Sequence, residues 1–246
     1  MSILLLPIMN NNMLKSLNII LIALLILGCG SGDCIRGEGE LETRTLELGP
    51  IQRIEVQGAI DVRLSRQEQQ QAEAQGQPNI LDLLDTEVRD GVWTIRTRQC
   101  VRSRKDLIIT LGVPTLSGIS IQGSGDVSSE DEFETEELAV EILGSGDLKI
   151  EARASSLQAT IAGSGDMTIS GSCELFSSEI RGSGDIDAGG LKCVQAKADI
   201  LGSGDIELHV TEALEANVTG SGNISYKGSP SKLTQNVTGS GSISSR

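Results

Sequence analysis

Five aspartates recur at one position in this chain of 246 residues: Asp126, Asp147, Asp166, Asp185 and Asp205 each directly follow a Gly-Ser-Gly tripeptide. Carboxylates at a tight turn can do one of two things. They can accept hydrogen bonds from backbone N–H groups at the turn, as Asn and Ser side chains also do. Stacked one above another, they can instead repel each other and be relieved by a cation such as calcium. Asn223 and Ser242 hold the same position in the last two copies, which favours capping. The calcium-binding β-roll repeat is a nonapeptide with a double glycine; this chain has neither that period nor that doublet.

Cysteine offers the second kind of chemistry. The segment Ile26-Leu27-Gly28-Cys29 closes an apolar run, Ile19 to Leu27, with Lys15 as its positive flank and Met1 or Met13 as its start. That run is short for a transmembrane span but suits a signal peptide. The segment resembles the lipobox of bacterial lipoproteins. The resemblance implies cleavage before Cys29 and acylation of Cys29, several acyl chains anchoring where one would be marginal. Gly30, not Asp, follows, which by the same resemblance implies the outer membrane. Four further cysteines could form two bridges in an oxidising compartment. Cys173 and Cys193 lie 20 residues apart and are a candidate disulfide, although they stand 10 and 11 residues after their respective glycines. Cys34 and Cys100 would pair by elimination. Without Cys-x-x-Cys or a histidine partner, zinc is not expected.

Catalytic residue types are scarce. His209 is the single histidine, and it lies in a strand pattern. Trp93 and Tyr226 are the only Trp and Tyr, so a sugar-stacking surface has little to draw on. Net charge is −14, or −15 without residues 1–28, which carry Lys15 and no acid. Such a chain repels nucleic acid. Sequons at Asn217, Asn223 and Asn236 are read as chance.

The elements that position these residues come from a repeat. Gly-Ser-Gly begins at Gly123, Gly144, Gly163, Gly182, Gly202, Gly220 and Gly239, spaced by 21, 19, 19, 20, 18 and 19 residues. Before each glycine, every second residue is apolar, as in Leu157/Ala159/Ile161 and Leu214/Ala216/Val218, with mostly polar residues between them. This is the pattern of a strand with one buried face. A second short strand follows the corner, as in Leu148-Lys-Ile150 and Ile206-Glu-Leu208. Nineteen residues cannot bury their own apolar face, but stacked copies can. The expected fold is all-β, a right-handed parallel β-helix (β-solenoid) with coils of about 19 residues. Its glycines are expected to supply the backbone angles of the corner. Four segments follow: a signal peptide over 1–28, a flexible tether over 29–44, irregular N-terminal β coils over 45–122 and the repeat over 123–246. The end at Arg246 shows no capping helix, which leaves room for end-to-end self-association.

Three blocks resemble one known family: Ile51 to Leu64 (IQRIEVQGAIDVRL), Gly91 to Thr97 (GVWTIRT) and Leu107 to Ile121 (LIITLGVPTLSGISI), followed by the Gly-Ser-Gly-Asp repeats. The chain is similar, over roughly Leu46 to Arg246, to the bacterial auto-transporter adhesins with a head GIN domain. The resemblance implies a β-helix on an envelope lipoprotein; no translocator barrel is present in this sequence. The functional expectation is a non-enzymatic binding or adhesion module, attached to the membrane through its lipid and directed at a protein or glycan. A periplasmic structural or regulatory scaffold is the alternative, with a carbohydrate-active enzyme behind both.

Overall fold

The computed structural model describes residues 34–103 and 105–246. The expectations for the signal peptide, Cys29 and Gly30 fall outside the described residues. The chain divides into Met1–Cys34 and a second unit, Ile35–Arg246, which holds the strands.

In chain order these are β1 (Ile35–Arg36), β2 (Glu42–Thr45), β3 (Arg53–Gly58), β4 (Asp61–Arg66) and β5 (Gln71–Gly76). A one-turn helix, α1 (Pro78–Leu81), precedes β6 (Val88–Arg89), β7 (Val92–Ile95), β8 (Val101–Arg102), β9 (Ile108–Val113) and β10 (Gly118–Gly123). The repeat supplies β11 (Val127–Ile142), β12 (Leu148–Ile161), β13 (Met167–Ile180), β14 (Ile186–Gly202) and β15 (Ile206–Gly220). It ends with β16 (Asn223–Lys227), β17 (Lys232–Gly239) and β18 (Ser242–Ser245).

From β11 to β15 each strand pairs in parallel with the next, and β15 is then covered by β16 and β17. The result is a β-solenoid of about seven turns with coils roughly 19 residues apart. The two strands expected in each coil prove to be one from β11 to β15 and stay separate as β16 and β17 at the end. In β12, for example, Leu148-Lys-Ile150 and Leu157/Ala159/Ile161 belong to the same continuous strand. The bend between them is taken within the ladder, with register shifts such as Ser128/Glu132 and Thr168/Ser170.

Inward residues stack in columns. Ile142, Ile161, Ile180, Ile200 and Val218 form one; Leu148, Met167, Ile186, Ile206 and Ile224 form another. All are buried. Large and small residues alternate along some columns, with Phe133 beside Ala152 and Phe176 beside Ala196, so a narrow interior takes in bulky side chains.

The corner glycines answer to stacking in every coil and to backbone angle in some: Gly220 and Gly239 take positive φ of 135° and 126°. Gly144, Gly163 and Gly182 do not take positive φ. A Cβ on Gly165 would lie 2.0 Å from the Gly146 carbonyl oxygen of the coil before. The corners press backbone against backbone, and the Ser164 N–H donates to the Gly144 oxygen at 3.0 Å. A side chain at these places would push adjacent coils apart.

The N-terminal region departs from simple stacking. β3 and β4 form a coil that lies directly under β10 and β11, although 65 residues separate them in sequence: Arg53 pairs with Gly118, and Val62 with Val127. On the other side of β3 and β4 lie β7 and β9. Coil order in space therefore differs from order in the chain. Antiparallel partners close this end: β5 lies along β9, β2 along β5, and β6 along β7. The segment expected to be a flexible tether over 29–44 is thus part of the fold from Ile35 onward. β1 is held by β8, and the Glu42–Thr45 strand by the sheet edge that β5 would otherwise expose. At the other end, Leu233 and Val237 of β17 occupy inward positions yet remain 45% and 46% exposed.

Candidate functional site

The aspartate column is a hydrogen-bonded ladder. Each carboxylate accepts the backbone N–H of the aspartate one coil later. Asp147 N donates to Asp126 Oδ1 at 2.9 Å, Asp166 N to Asp147 at 2.9 Å, Asp185 N to Asp166 at 2.9 Å and Asp205 N to Asp185 at 2.7 Å. Asn223 continues it through its backbone N–H (2.7 Å) and its Nδ2 (3.0 Å), both to Asp205 Oδ1, and Ser242 Oγ donates to Asn223 at 2.8 Å. The capped group lies one coil on, not within the same turn. Among the described residues no cluster of three or more His, Cys, Asp or Glu side chains is arranged to hold a metal ion.

The ladder has a rung that the Gly-Ser-Gly search missed. Asp126 N donates to Asp61 Oδ1 at 3.1 Å. Aligning Ile54-Glu-Val-Gln-Gly-Ala-Ile-Asp-Val62 with Ile119-Ser-Ile-Gln-Gly-Ser-Gly-Asp-Val127 would have found it, because the first glycine and the aspartate coincide.

Cys173 and Cys193 are brought together as free thiols, their sulfurs 3.1 Å apart. The one-residue mismatch in their spacing vanishes because the register shift at Thr168/Ser170 absorbs an extra residue in β14. Burial and the adjoining sulfur push the Cys193 thiol upward, the hydrogen bond with Cys173 being the first cause. Cys34 and Cys100 are both disulfide-bonded.

The residues that sugar chemistry would need point inward. Trp93 is fully buried and its Nε1–H donates to the Asp85 carbonyl at 2.9 Å. Tyr226, Phe133 and Phe176 are buried too. His209 is half-buried on β15, between Lys192 and Lys227 in register, and lies in no acid–base pair among the described residues. The sequons fall in ladders: Asn217 Nδ2 donates to Asp199 at 2.7 Å, and Asn236 Nδ2 to Asn217 at 2.9 Å.

Several concave features lie on the surface, among them the following two. A shallow groove of about 470 Å³ follows the registered positions Leu175, Gln195, Ala213 and Lys232, with Leu175 51% exposed and Lys197 and Glu215 alongside. A pocket of about 610 Å³ at the N-terminal end is lined by Arg36, Gly37, Gln77, Arg102 and Lys105. The Gln77 side chain packs where a Cβ on Gly37 would stand, accepts from Ser103 Oγ at 2.8 Å and donates to the Gly39 carbonyl at 3.0 Å. Lys105 pairs with Glu40 at 2.7 Å and holds that carboxyl below its usual range, first by the hydrogen bond and then by charge.

Several solved structures share this architecture. A putative adhesin from Bacteroides fragilis is 29% identical, with a TM-score of 0.82 over 86% of this chain and all of that one. A putative adhesin from Parabacteroides distasonis is 25% identical, with a TM-score of 0.72 over 87% of this chain and all of its own. A putative lipid binding protein from the same species, 24% identical with a TM-score of 0.74 over 87% of this chain and all of its own, shares the fold. No curated protein matches the chain. The family described as "Putative auto-transporter adhesin, head GIN domain" matches residues 51–230. The chain, with its β-solenoid and its Gly-Ser-Gly-Asp ladder, belongs to that family.

Proposed function

We propose that this chain is an envelope lipoprotein, acylated at Cys29 and held in the outer membrane, whose solenoid faces bind a macromolecular partner, protein or glycan. The observation that carries the binding role is the membership in an adhesin-like family of a chain that buries all four of its aromatic residues and offers broad regular faces. Its groove is shallow, and its one histidine sits in a ladder without an acid–base partner among the described residues. A face of this kind suits an extended partner better than a small substrate closed off from water. The anchor rests on Ile26-Leu27-Gly28-Cys29 at the end of the apolar run.

The anchor is tested by metabolic labelling with palmitate. The wild-type chain is expected to take up label and to sediment with membranes, whereas Cys29→Ser takes up none and appears in the soluble fraction after cleavage as an ordinary exported protein or remains uncleaved. Equal labelling of both would remove Cys29 from the account.

A further inference from the structure

Arg36 and Arg102 face each other directly across the parallel β1–β8 pair, so two guanidinium groups share one side of a two-stranded ribbon. Like charges directly opposite in a ladder destabilise it. Elsewhere in this acidic chain several arginines hold carboxylates, Arg44 with Glu42 and Asp82, Arg96 with Asp85, Arg153 with Glu132 and Arg181 with Glu179, while Arg53, Arg63 and Arg98 stand singly without an ion pair among the described residues. Arg36 and Arg102 make no ion pair among the described residues. Both are exposed, and with Lys105 they line the 610 Å³ pocket, whose lining among the described residues contains no carboxylate. Among the described residues Glu40 pairs with the lysine alone.

We infer that this pocket binds a phosphate ester, its phosphate held between the Arg36 and Arg102 guanidiniums with Lys105 beside them. A carboxylate would be satisfied by one bidentate arginine, whereas a phosphate has oxygens enough for two forks and an ammonium. The volume lies in the range of small-molecule sites, about 300–1,000 Å³, and leaves room for an organic group on the phosphate. Arg102 and Lys105 also wall a second cavity of about 490 Å³, of mixed lining, that runs in beside Ile60, Ile80 and Leu107 with Asp106 at its wall. An ester with an apolar tail would find its complement there. The phosphate could belong to a lipid headgroup or to a soluble ester. The inference does not depend on acylation of Cys29 or on the adhesion role.

The test uses the full chain in nonionic detergent, with glycerol 3-phosphate and monomeric dihexanoyl phosphatidic acid as probes, read by calorimetric titration and thermal midpoint. Binding of either probe is expected, with a raised midpoint. Arg36→Gln and Arg102→Gln should each weaken it at least about tenfold, while Arg63→Gln, an exposed arginine on β4, leaves it unchanged. Tighter binding of the phosphatidic acid assigns the site to lipid headgroups; equal binding assigns it to soluble esters. Without probe, Arg102→Gln should be as stable as the wild type or more so, because a repulsion is removed. The inference is overturned if neither probe binds, if both glutamine variants bind like the wild type, or if Arg102→Gln lowers the midpoint in the absence of probe.

Discussion

Gly165→Ala is expected to destabilise the solenoid by about 4 kcal/mol or more, among the largest effects a single methyl group can have. The added carbon would sit 2.0 Å from the Gly146 carbonyl oxygen and 2.9 Å from the carbon that bears it. Neither is the far end of a flexible side chain. Both belong to backbone fixed by the rung below, where Gly146 itself presses on Gly125 at 2.1 Å by the same measure. Relief would require two coils to separate at the corner, and with them the hydrogen bond from Asp166 N to Asp147. Gly49→Ala is the matched control. Its Cβ would come no nearer than 3.6 Å, to Val88, and Gly49 does not take positive φ, so its effect should be within a few tenths of a kcal/mol. Chemical denaturation of the two variants beside the wild type checks the pair. Equal stability of both would mean that coil spacing at the corner is looser than the stacked carbonyls indicate.

Trp93→Ala should cost about 3–5 kcal/mol, the range for removing a large buried aromatic. Trp93 is the largest fully buried side chain and is paired in register with Ile54 of the neighbouring coil. Its indole N–H also holds the Asp85 carbonyl, while the Asp85 carboxylate holds Arg96 at 3.1 Å. Burial raises the Asp85 carboxyl and the Glu87 N–H and Arg96 together outweigh it, leaving it below its ordinary range. Loss of the indole therefore loosens the β6–β7 turn as well as the core. In a stacked array each coil leans on its neighbours, so damage at the closed end spreads inward by fraying. Hydrogen exchange should show the loss of protection in β3, β7 and β9 before β13 and β14. A uniform loss along the whole solenoid would contradict a separate role for this end. Trp93→Phe keeps most of the buried area and should lose little beyond one hydrogen bond, about 1 kcal/mol.

The repeat, its period and the inward positions of 123–246 are legible because one physical constraint recurs seven times. Each coil must present apolar residues at every second place and glycine where its backbone meets the coil before. The purpose of those glycines is less legible. Positive φ and close approach select the same residue, and only the stacked carbonyl at 2.0–2.2 Å distinguishes them. Asp61 escapes a search by spacing because residues 67–117 are inserted between its coil and the next. The inserted segment builds a coil on the far side, and sequence order carries no direct signal of that reversal. Cys173 and Cys193 appear out of step by one residue until the shift at Thr168/Ser170 restores them. The Arg36–Arg102 pair could not be seen at all, because β1 and β8 are two residues each and pair across a separation of 66. Pairs that short have no periodicity to read.

The proposed binding role, read as contact with a protein or glycan outside the cell, is tested most directly by protease treatment of intact cells, with a periplasmic protein as internal control. The account predicts that the chain is cleaved while the control survives. Protection of the chain until the outer membrane is permeabilised would contradict it and leave a periplasmic scaffold in its place.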